Sequence, residues 1–166
     1  GLPLKEAAAA LAEFRGADRR FEVKGIVDDI TIIDDYAHHP TEIRATLDAA
    51  RARYASSRIW AVWQPHTYSR THALFNEFVH SFGEADQVIV SEVYASREAK
   101  EEFSAEAIVQ YMRRSSAHFI AALSDISKYL ITHLQPGDVV IVLSAGDADQ
   151  VSADVLAHLK QGERHE

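Results

Sequence analysis

The sequence predicts an α/β domain of Rossmann-like three-layer architecture, with a mostly parallel sheet between two layers of helices and an N-terminal edge hairpin. Two observations support this prediction. Short apolar runs rich in Val and Ile alternate with segments of helical periodicity, and the connections between them are short. In addition, a polar cluster follows several of these runs directly, as loops do at the carboxyl edge of a parallel sheet, where ligands bind.

The N-terminal part predicts a helix followed by a β-hairpin. Residues 4–14 are rich in Ala and Leu, and Gly16 ends this helix. Residues 19–27 alternate charged and apolar side chains, which is typical of an exposed edge strand. Asp28 and Asp29 supply a turn into residues 30–34, whose β-branched side chains indicate a buried parallel strand. The two strands are therefore expected to form a hairpin.

The rest of the chain repeats a strand and a helix in turn, and right-handed crossovers would bring the strand ends to one edge of the sheet. Strands are predicted at residues 58–63, 87–91, 117–121 and 139–143, and helices at residues 40–54, 74–82, 105–113, 124–133 and 150–159. Pro40 suits the first turn of its helix, and Gly83 is the expected stop of the next one. We interpret residues 1–160 as one domain and residues 161–166 as a disordered tail.

Composition restricts the classes of function. The 166 residues include no cysteine, which excludes disulfides, thiolate metal sites and cysteine nucleophiles. With 25 acidic against 17 basic residues, the net charge of −8 opposes binding to nucleic acid or to anionic membranes. The longest apolar stretches in the sequence are too short to span a bilayer. These features favour a cytoplasmic protein.

The first polar cluster follows the strand at residues 30–34 and runs Asp34-Asp35-Tyr36-Ala37-His38-His39-Pro40. Two carboxylates, a phenol and two imidazoles so close together favour a site over an ordinary surface. The Asp34-Asp35 pair could bind a divalent metal or a ribose, or one acid could simply cap the turn before Pro40. His38 and His39 could be metal ligands, acid–base groups or carboxylate binders, or packed structural histidines.

The second polar cluster, QPHTYSRT at residues 64–71, lies at the same edge if its strand is parallel to the first. His66 and Arg70 are placed where a loop turns into a helix. A positive charge near a helix start is unfavourable unless it meets an anion. One charge-assisted bond would contribute about 1.5–3 kcal/mol, enough to select a carboxylate or a phosphate. The alternative for Arg70 is an ordinary surface ion pair.

The sequence lacks both common glycine-rich phosphate loops, G-x-x-x-x-G-K-[ST] and G-x-G-x-x-G. The segment Ser144-Ala145-Gly146-Asp147 after the last predicted strand is too short to replace either motif. A complete nucleotide-dependent enzyme of the common kinds is therefore not expected from these residues alone.

Five segments in order carry a resemblance to a known family: residues 19–22 (RRFE), 34–42 (DDYAHHPTE), 64–71 (QPHTYSRT), 93–98 (VYASRE) and 145–147 (AGD). Together they resemble the C-terminal domain of the Mur ligases over about residues 16–159. DDYAHHPTE with QPHTYSR is a specific pair of signatures, whereas either alone would also fit sibling ligases. The pair is most similar to the branch of the family that joins L-alanine to UDP-N-acetylmuramate in peptidoglycan synthesis.

The resemblance implies one domain of a three-domain, ATP-dependent, amide-bond-forming ligase. ATP and Mg²⁺ would convert the muramoyl carboxylate into an acyl-phosphate, which the amino group of L-alanine attacks. The first domain would hold the UDP-sugar, the central domain the P-loop and metal ligands, and the third would close over both and exclude water. The chain is expected to be this third domain, inactive and without a cofactor by itself, with no nucleic-acid or membrane partner.

The resemblance also assigns roles to individual residues. Asp35 would bind the nucleotide through its ribose. The substrate-binding residues would be Tyr36, His38, His39, His66 and Arg70. Of these, Arg70 would bind the L-alanine carboxylate, and His66 would support its loop. By the same resemblance, no residue of this domain alone is expected to be catalytic or to bind a metal.

Two positions depart from the pattern of the family. Thr67 stands where some relatives carry a second arginine, which leaves carboxylate binding to Arg70 and His38. Ser144 replaces the glycine that is common before Ala-Gly-Asp. The first two domains are also absent from the sequence, which is why the chain is expected to be inactive by itself.

Two other classes of function stay open from the residues alone. A self-contained metal-dependent phosphoesterase could use the oxygen and imidazole ligands at the strand ends, which suit Mn²⁺ or Zn²⁺. Its ligands would come from Asp34, Asp35, His38, His39, His66 and Asp147. A pure binding module could instead use the polar loops to dock a partner.

Overall fold

The computed structural model describes residues 19–162 of the chain. Within this range the strands are β1 (Glu22–Val27), β2 (Ile30–Asp35), β3 (Ile59–Trp63), β4 (Gln87–Val90), β5 (Ala117–Phe119) and β6 (Val139–Leu143). The helices of the same range are α1 (Pro40–Arg53), α2 (Tyr68–Ala73), α3 (Phe75–Val79), α4 (Glu106–Met112), α5 (Leu123–His133) and α6 (Asp149–Gly162). Strands and helices alternate after β2, as the sequence predicts.

The N-terminal hairpin is confirmed. Strand β1 pairs antiparallel with β2, and the turn between them consists of Asp28 and Asp29. Both residues have positive φ, 49° and 60°, as a type I′ hairpin turn requires. β1 begins at Glu22 rather than at residue 19, because Arg19 and Phe21 have the left-handed backbone, with φ of 57° and 49°, which interrupts an extended strand.

The six strands form one sheet in the order β1-β2-β6-β3-β4-β5, and every pairing after the hairpin is parallel. Strand β6 lies between β2 and β3 and pairs with both. Asp35 is level with Leu143, and Leu143 is level with Trp63, so the three strands end in register. The loops after β2, β6 and β3 therefore start side by side at one edge, which confirms that the two polar clusters share an edge.

The two faces of the sheet are covered by separate helical layers, as the three-layer prediction requires. One face carries Ile33, Ala61, Trp63, Val88, Val90, Ile141 and Leu143, packed against Ile43, Leu47, Phe78 and Ile108 of α1, α3 and α4. The other face carries Ile32, Trp60, Val62, Ile89, Val140 and Val142, packed against Ile126, Leu130, Val151 and Val155 of α5 and α6. Successive strand residues thus alternate between two hydrophobic cores.

The prediction of a single helix at residues 74–82 is wrong. The chain forms two short helices, α2 and α3, that meet at Leu74, whose φ of −115° is not helical. Helix α3 ends at Val79, before the stop expected at Gly83, and the Ser81 hydroxyl donates to the Glu77 carbonyl there. Because α2 begins at Tyr68, Arg70 lies on a helix rather than in the loop before one.

Strand β6 has its predicted bounds, and the bounds of the other elements differ from the predictions by at most three residues. Helix α6 continues through Gly162, so residues 161 and 162, which were expected to begin a disordered tail, are helical. The predicted helix at residues 4–14 and the rest of the tail, residues 163–166, lie outside the described residues. Among residues 19–162, none of the helices combines the length and the apolar character that crossing a membrane requires.

Candidate functional site

The loops after three strands lie side by side at the carboxyl edge of the sheet, where four of their aromatic and imidazole side chains form a row. Tyr36 and His38 follow β2, His66 follows β3, and Tyr94 follows β4. Their successive ring centroids are 5.4, 6.1 and 5.6 Å apart. We call these four residues the aromatic row. It brings Tyr36, His38 and His66, which the sequence predicts as substrate-binding residues, into one surface.

Asp35 is held by the backbone on both sides of the β2 strand end. Its two carboxylate oxygens accept hydrogen bonds from the N–H groups of Phe21 and Ala37, each at 2.7 Å. The side chain is almost buried, and it borders a cleft of about 380 Å³. The cleft is lined by Arg20, Phe21, Asp35, Tyr36, Ala37, Glu42, Ala45, Thr46 and Ala49. A carboxylate at the wall of such a cleft has further lone pairs with which to accept a ligand hydroxyl.

Asp34 does not belong to this edge site. Neighbouring residues on a strand point to opposite faces, and Asp34 faces α6, where the Ser152 hydroxyl donates to it. The side chain is 2% exposed, and this burial raises the pKa of the Asp34 carboxyl. The paired metal or ribose site considered from the sequence is therefore wrong for Asp34, because the two adjacent carboxylates are on different sides of the sheet.

The start of α1 explains the position of His39. Pro40 occupies the first helical turn, and Glu42 Oε2 accepts hydrogen bonds from the backbone N–H groups of His38 and His39, at 3.1 and 3.0 Å. His39 Nδ1 accepts a hydrogen bond from the Thr41 N–H in return. Burial raises the pKa of Glu42, but the two N–H groups outweigh it and hold the pKa below its usual value. His39 is thus the N-cap of α1.

Arg70 projects from α2 beside the aromatic row. Its Nη1 donates to the His66 carbonyl oxygen at 3.0 Å and lies 3.4 Å from His66 Nδ1. Among residues 19–162, Arg70 forms no ion pair with any carboxylate within 4.0 Å. The surface ion pair considered from the sequence is therefore not formed in the described part of the chain.

The surroundings of His66 disfavour protonation of its ring. Burial lowers the pKa of the imidazole, and electrostatic repulsion from Arg70 and His38 lowers it further. A neutral ring beside Arg70 leaves the guanidinium as the positive group of this part of the edge. The arrangement favours a ligand with a compact negative charge.

The loop after β6, residues 144–148, is tied to the β3 strand end by Gln64. The Gln64 Oε1 accepts hydrogen bonds from the Ser144 hydroxyl and the Asp147 N–H, and its Nε2 donates to Asp147 Oδ1. Gly146 has no space for a side chain, because a Cβ there would lie 2.8 Å from Cγ of Tyr94. Ser144, which replaces a glycine of the family pattern, also accepts the Gly146 N–H and so stabilises the loop.

Two residues to which the sequence analysis gave no role also bind the edge loops. Arg19 donates to the carbonyls of Ser144 and Gly146, at 2.7 and 3.2 Å, and its guanidinium lies 5.5 Å from the centre of the Tyr36 ring. Glu98 accepts hydrogen bonds from Thr67, the N-cap of α2, and from Ser69 in its first turn. Both belong to segments that carry the family resemblance, but their partners are more than 25 residues away in the sequence and could not be assigned from it.

The phosphoesterase hypothesis needs a cluster of metal ligands, and the structure does not form one. Of its six candidate ligands, Asp34 faces α6, Asp35 is bound by two backbone N–H groups, and Asp147 is bound by Gln64. Across residues 19–162, no group of three or more His, Asp or Glu side chains is arranged to hold a metal ion. The described residues thus do not fit Mg²⁺, Mn²⁺ or Zn²⁺ as a metal bound by this domain alone.

The fold is that of a Rossmann-like domain, and its polar loops lie at the carboxyl ends of the parallel strands, the edge at which open α/β sheets bind ligands. A family model described as "Mur ligase, glutamate ligase domain" matches residues 19–146. The chain belongs to this family of Mur ligase domains, as the sequence analysis proposed.

Relatives of the chain are UDP-N-acetylmuramate–L-alanine ligases. It is 43% identical to the enzyme of Roseiflexus castenholzii over 98% of its own length, and 45% identical to that of Gloeobacter violaceus over 94%. In each comparison it covers 34% of the relative, so the chain spans about a third of the length of these enzymes.

Solved structures of ligases have the same fold. The UDP-N-acetylmuramate–alanine ligase of Thermotoga maritima matches 98% of this chain with a TM-score of 0.80 and 28% identity, and the chain covers 34% of it. A murein peptide ligase of Psychrobacter arcticus matches 96% of the chain with a TM-score of 0.71 and 29% identity, and 33% of that protein is covered.

Proposed function

We propose that the chain is the C-terminal domain of a cytoplasmic, ATP-dependent ligase that joins L-alanine to UDP-N-acetylmuramate in peptidoglycan synthesis. The observation that carries this proposal is the Arg70 guanidinium, which is held by His66 and has no carboxylate partner among the described residues. The relatives are UDP-N-acetylmuramate–L-alanine ligases, which supports the choice of amino acid and sugar nucleotide.

Arg70 binds the carboxylate of L-alanine in this proposal. A guanidinium forms two parallel hydrogen bonds with a carboxylate, and Nη1 is already oriented by the His66 carbonyl. Tyr36 and His38 contact the remainder of the amino acid from the facing loop, and neutral His66 supports the Arg70 side chain. His39 acts indirectly, because its ring caps α1 and so holds the loop that carries His38.

Asp35 binds the nucleotide in this proposal. Its carboxylate borders the cleft of about 380 Å³ and can accept a ribose hydroxyl while it keeps its two backbone hydrogen bonds. ATP supplies the phosphoryl group that activates the muramoyl carboxylate. The UDP-sugar and Mg²⁺ are assigned to the parts of such a ligase that this chain does not cover. The chain contributes orientation of two substrates and exclusion of water, rather than acid–base catalysis.

The experiment measures ADP release by the protein that is encoded by the longest open reading frame containing this chain. UDP-N-acetylmuramate and L-alanine are each omitted in turn, and the 166-residue chain is assayed in parallel with Mn²⁺ and a generic phosphate ester. We expect release that needs both substrates, and no phosphate from the isolated chain. ADP release that does not depend on L-alanine would contradict the ligase proposal. Phosphate release by the isolated chain would restore the phosphoesterase alternative.

A further inference from the structure

The loop between β4 and α4, residues 91–105, is joined to the segment that carries Arg70 at two places. Near its start, the Tyr94 N–H donates to the Pro65 carbonyl at 2.8 Å. Further along, the Glu98 carboxylate accepts hydrogen bonds from the Thr67 hydroxyl at 2.7 Å and from the Ser69 N–H at 3.1 Å. The Ser69 hydroxyl donates to Glu98 as well. Glu98 therefore binds the first turn of α2 from a distant part of the sequence.

Helix α2 lacks the local groups that usually stabilise a helix start. It has six residues, Thr67 at its N-cap makes no side-chain hydrogen bond to the helix backbone, and its first turn contains no acidic residue. Helices this short are not stable by themselves, and their first N–H groups need acceptors. Glu98 supplies both the acceptor and the negative charge that a helix N-terminus favours.

Arg70 depends on the turn that Glu98 binds. The Thr67 carbonyl accepts the Thr71 N–H at 2.9 Å, and the Arg70 carbonyl accepts the Leu74 N–H at 3.0 Å, so Arg70 is fixed only when this turn is helical. If the turn opened, the guanidinium would no longer be held beside the His66 carbonyl. A displacement of about 1 Å at such a group can reduce a rate roughly a hundredfold.

We propose that Glu98 is a positioning residue for Arg70, and that it sets the affinity of the domain for the amino-acid carboxylate by holding the first turn of α2. This inference rests on the proposed function, in which Arg70 binds that carboxylate. The Thr67 and Ser69 side chains and the Ser69 N–H hold the pKa of Glu98 at about 2, so the group stays ionised under any assay condition near neutral pH. Its effect is therefore independent of pH in that range.

Glu101 offers a matched control. It lies three residues further along the same loop, and it also contacts α2, through His72 at 3.0 Å, with both side chains exposed. Removal of either acid deletes one negative charge and the hydrogen bonds that one side chain makes between this loop and the α2 segment. Only Glu98 binds the first turn, so the two variants separate positioning of Arg70 from a general loss of charge.

The test compares Glu98→Ala, Glu98→Gln and Glu101→Ala in the complete ligase. We expect Glu98→Ala to raise the KM for L-alanine roughly tenfold, with the KM for ATP unchanged, and Glu101→Ala to change neither. Glu98→Gln keeps one neutral acceptor and should recover part of the affinity for L-alanine that Glu98→Ala loses. It also replaces Glu98→Ala in the test if that variant does not fold. Equal KM values for L-alanine in wild type and both Glu98 variants would overturn the proposal.

A second measurement separates this inference from the proposed function. Hydrogen exchange of the Ser69 amide in the 166-residue chain should become faster in Glu98→Gln and remain unchanged in Glu101→Ala, whatever reaction the domain serves. Unchanged Ser69 exchange in Glu98→Gln would overturn the role of Glu98 even in an active ligase. ADP release that does not depend on L-alanine would instead overturn the ligase proposal, and with it the proposed effect of Glu98 on the affinity for L-alanine.

Discussion

The Arg70 guanidinium donates to the His66 carbonyl, 3.0 Å away, and the two residues lie on successive turns of one short segment. The carbonyl orients the cation, and burial together with Arg70 lowers the pKa of the His66 ring. A charged group and a neutral group are thus placed side by side at the carboxyl edge of the sheet. The pair is the place where we propose that the L-alanine carboxylate binds.

Substitution of Arg70 tests its proposed role in the complete ligase. We expect Arg70→Ala to raise the KM for L-alanine roughly 10- to 150-fold, the loss of about 1.5–3 kcal/mol of charge-assisted hydrogen bonding, with little change in the KM for ATP. Arg70→Lys should recover only part of the affinity, because lysine lacks the planar pair of donors. Steady-state kinetics at fixed ATP provide the measurement, and an unchanged KM for L-alanine would exclude Arg70 as the carboxylate ligand.

The titration of His66 tests the electrostatics of the pair. NMR titration of the 166-residue chain should give a His66 pKa below 6.5, and Arg70→Ala should raise it by removing a neighbouring positive charge. Arg53→Ala, at the far end of α1, should leave it unchanged. A His66 pKa that does not respond to Arg70→Ala would show that Arg70 does not contribute to the shift.

The same shift has a consequence for stability. Because the folded pKa of His66 is below its unfolded value of 6.5, the unfolded chain binds the proton first as the pH falls. The contribution of His66 therefore decreases stability from about pH 6.5 down to its folded pKa, and then levels off. Urea unfolding of wild type and His66→Gln across this range measures it, and the two slopes against pH should differ in that window alone.

Replacement of Gly146 tests the packing of the β6 loop. A Cβ at this position would lie 2.8 Å from Cγ of Tyr94, so either the loop or the aromatic row must move. We expect Gly146→Ala to lower the free energy of unfolding by about 1–3 kcal/mol. Gly83→Ala is the control, since a Cβ there meets no atom within 4 Å, and it should change stability by less than about 0.5 kcal/mol. Equal urea midpoints for the two variants would contradict this account.

Replacement of Asp35 tests its structural role separately from nucleotide binding. Asp35→Ala removes the acceptor of both the Phe21 and the Ala37 N–H groups, and we expect a loss of about 2–4 kcal/mol in the free energy of unfolding. Asp125→Ala, which breaks an exposed contact with Lys128, should cost less than about 1 kcal/mol. Asp35→Asn keeps one acceptor, so its KM for ATP in the complete ligase reports on the ribose contact with less disturbance of the fold. A stable Asp35→Ala chain would show that the two N–H groups find other acceptors.

Much of this domain could be predicted from residue pattern alone. Strand β6 was predicted to the residue, and the hairpin, the alternation of strands and helices and the shared edge of the two polar clusters are all confirmed. The physical reason is that these properties depend on local periodicity and on turn residues such as Asp28 and Asp29. Both are visible in short stretches of sequence. The family could be recognised from short motifs for the same reason, because each motif is one contiguous stretch of the sequence.

Which of these side chains act together depends on the tertiary structure. Asp34 and Asp35 are adjacent in the sequence, yet the pleat of β2 directs one to α6 and the other to the edge cleft. Arg19 and Glu98 bind loops that are 125 and about 30 residues away, and the split between α2 and α3 places Arg70 on a helix. Local residue pattern specifies the class of fold and the chemical groups at its edge. The partners of these groups come from segments that are far apart in the sequence and become neighbours only in the folded sheet.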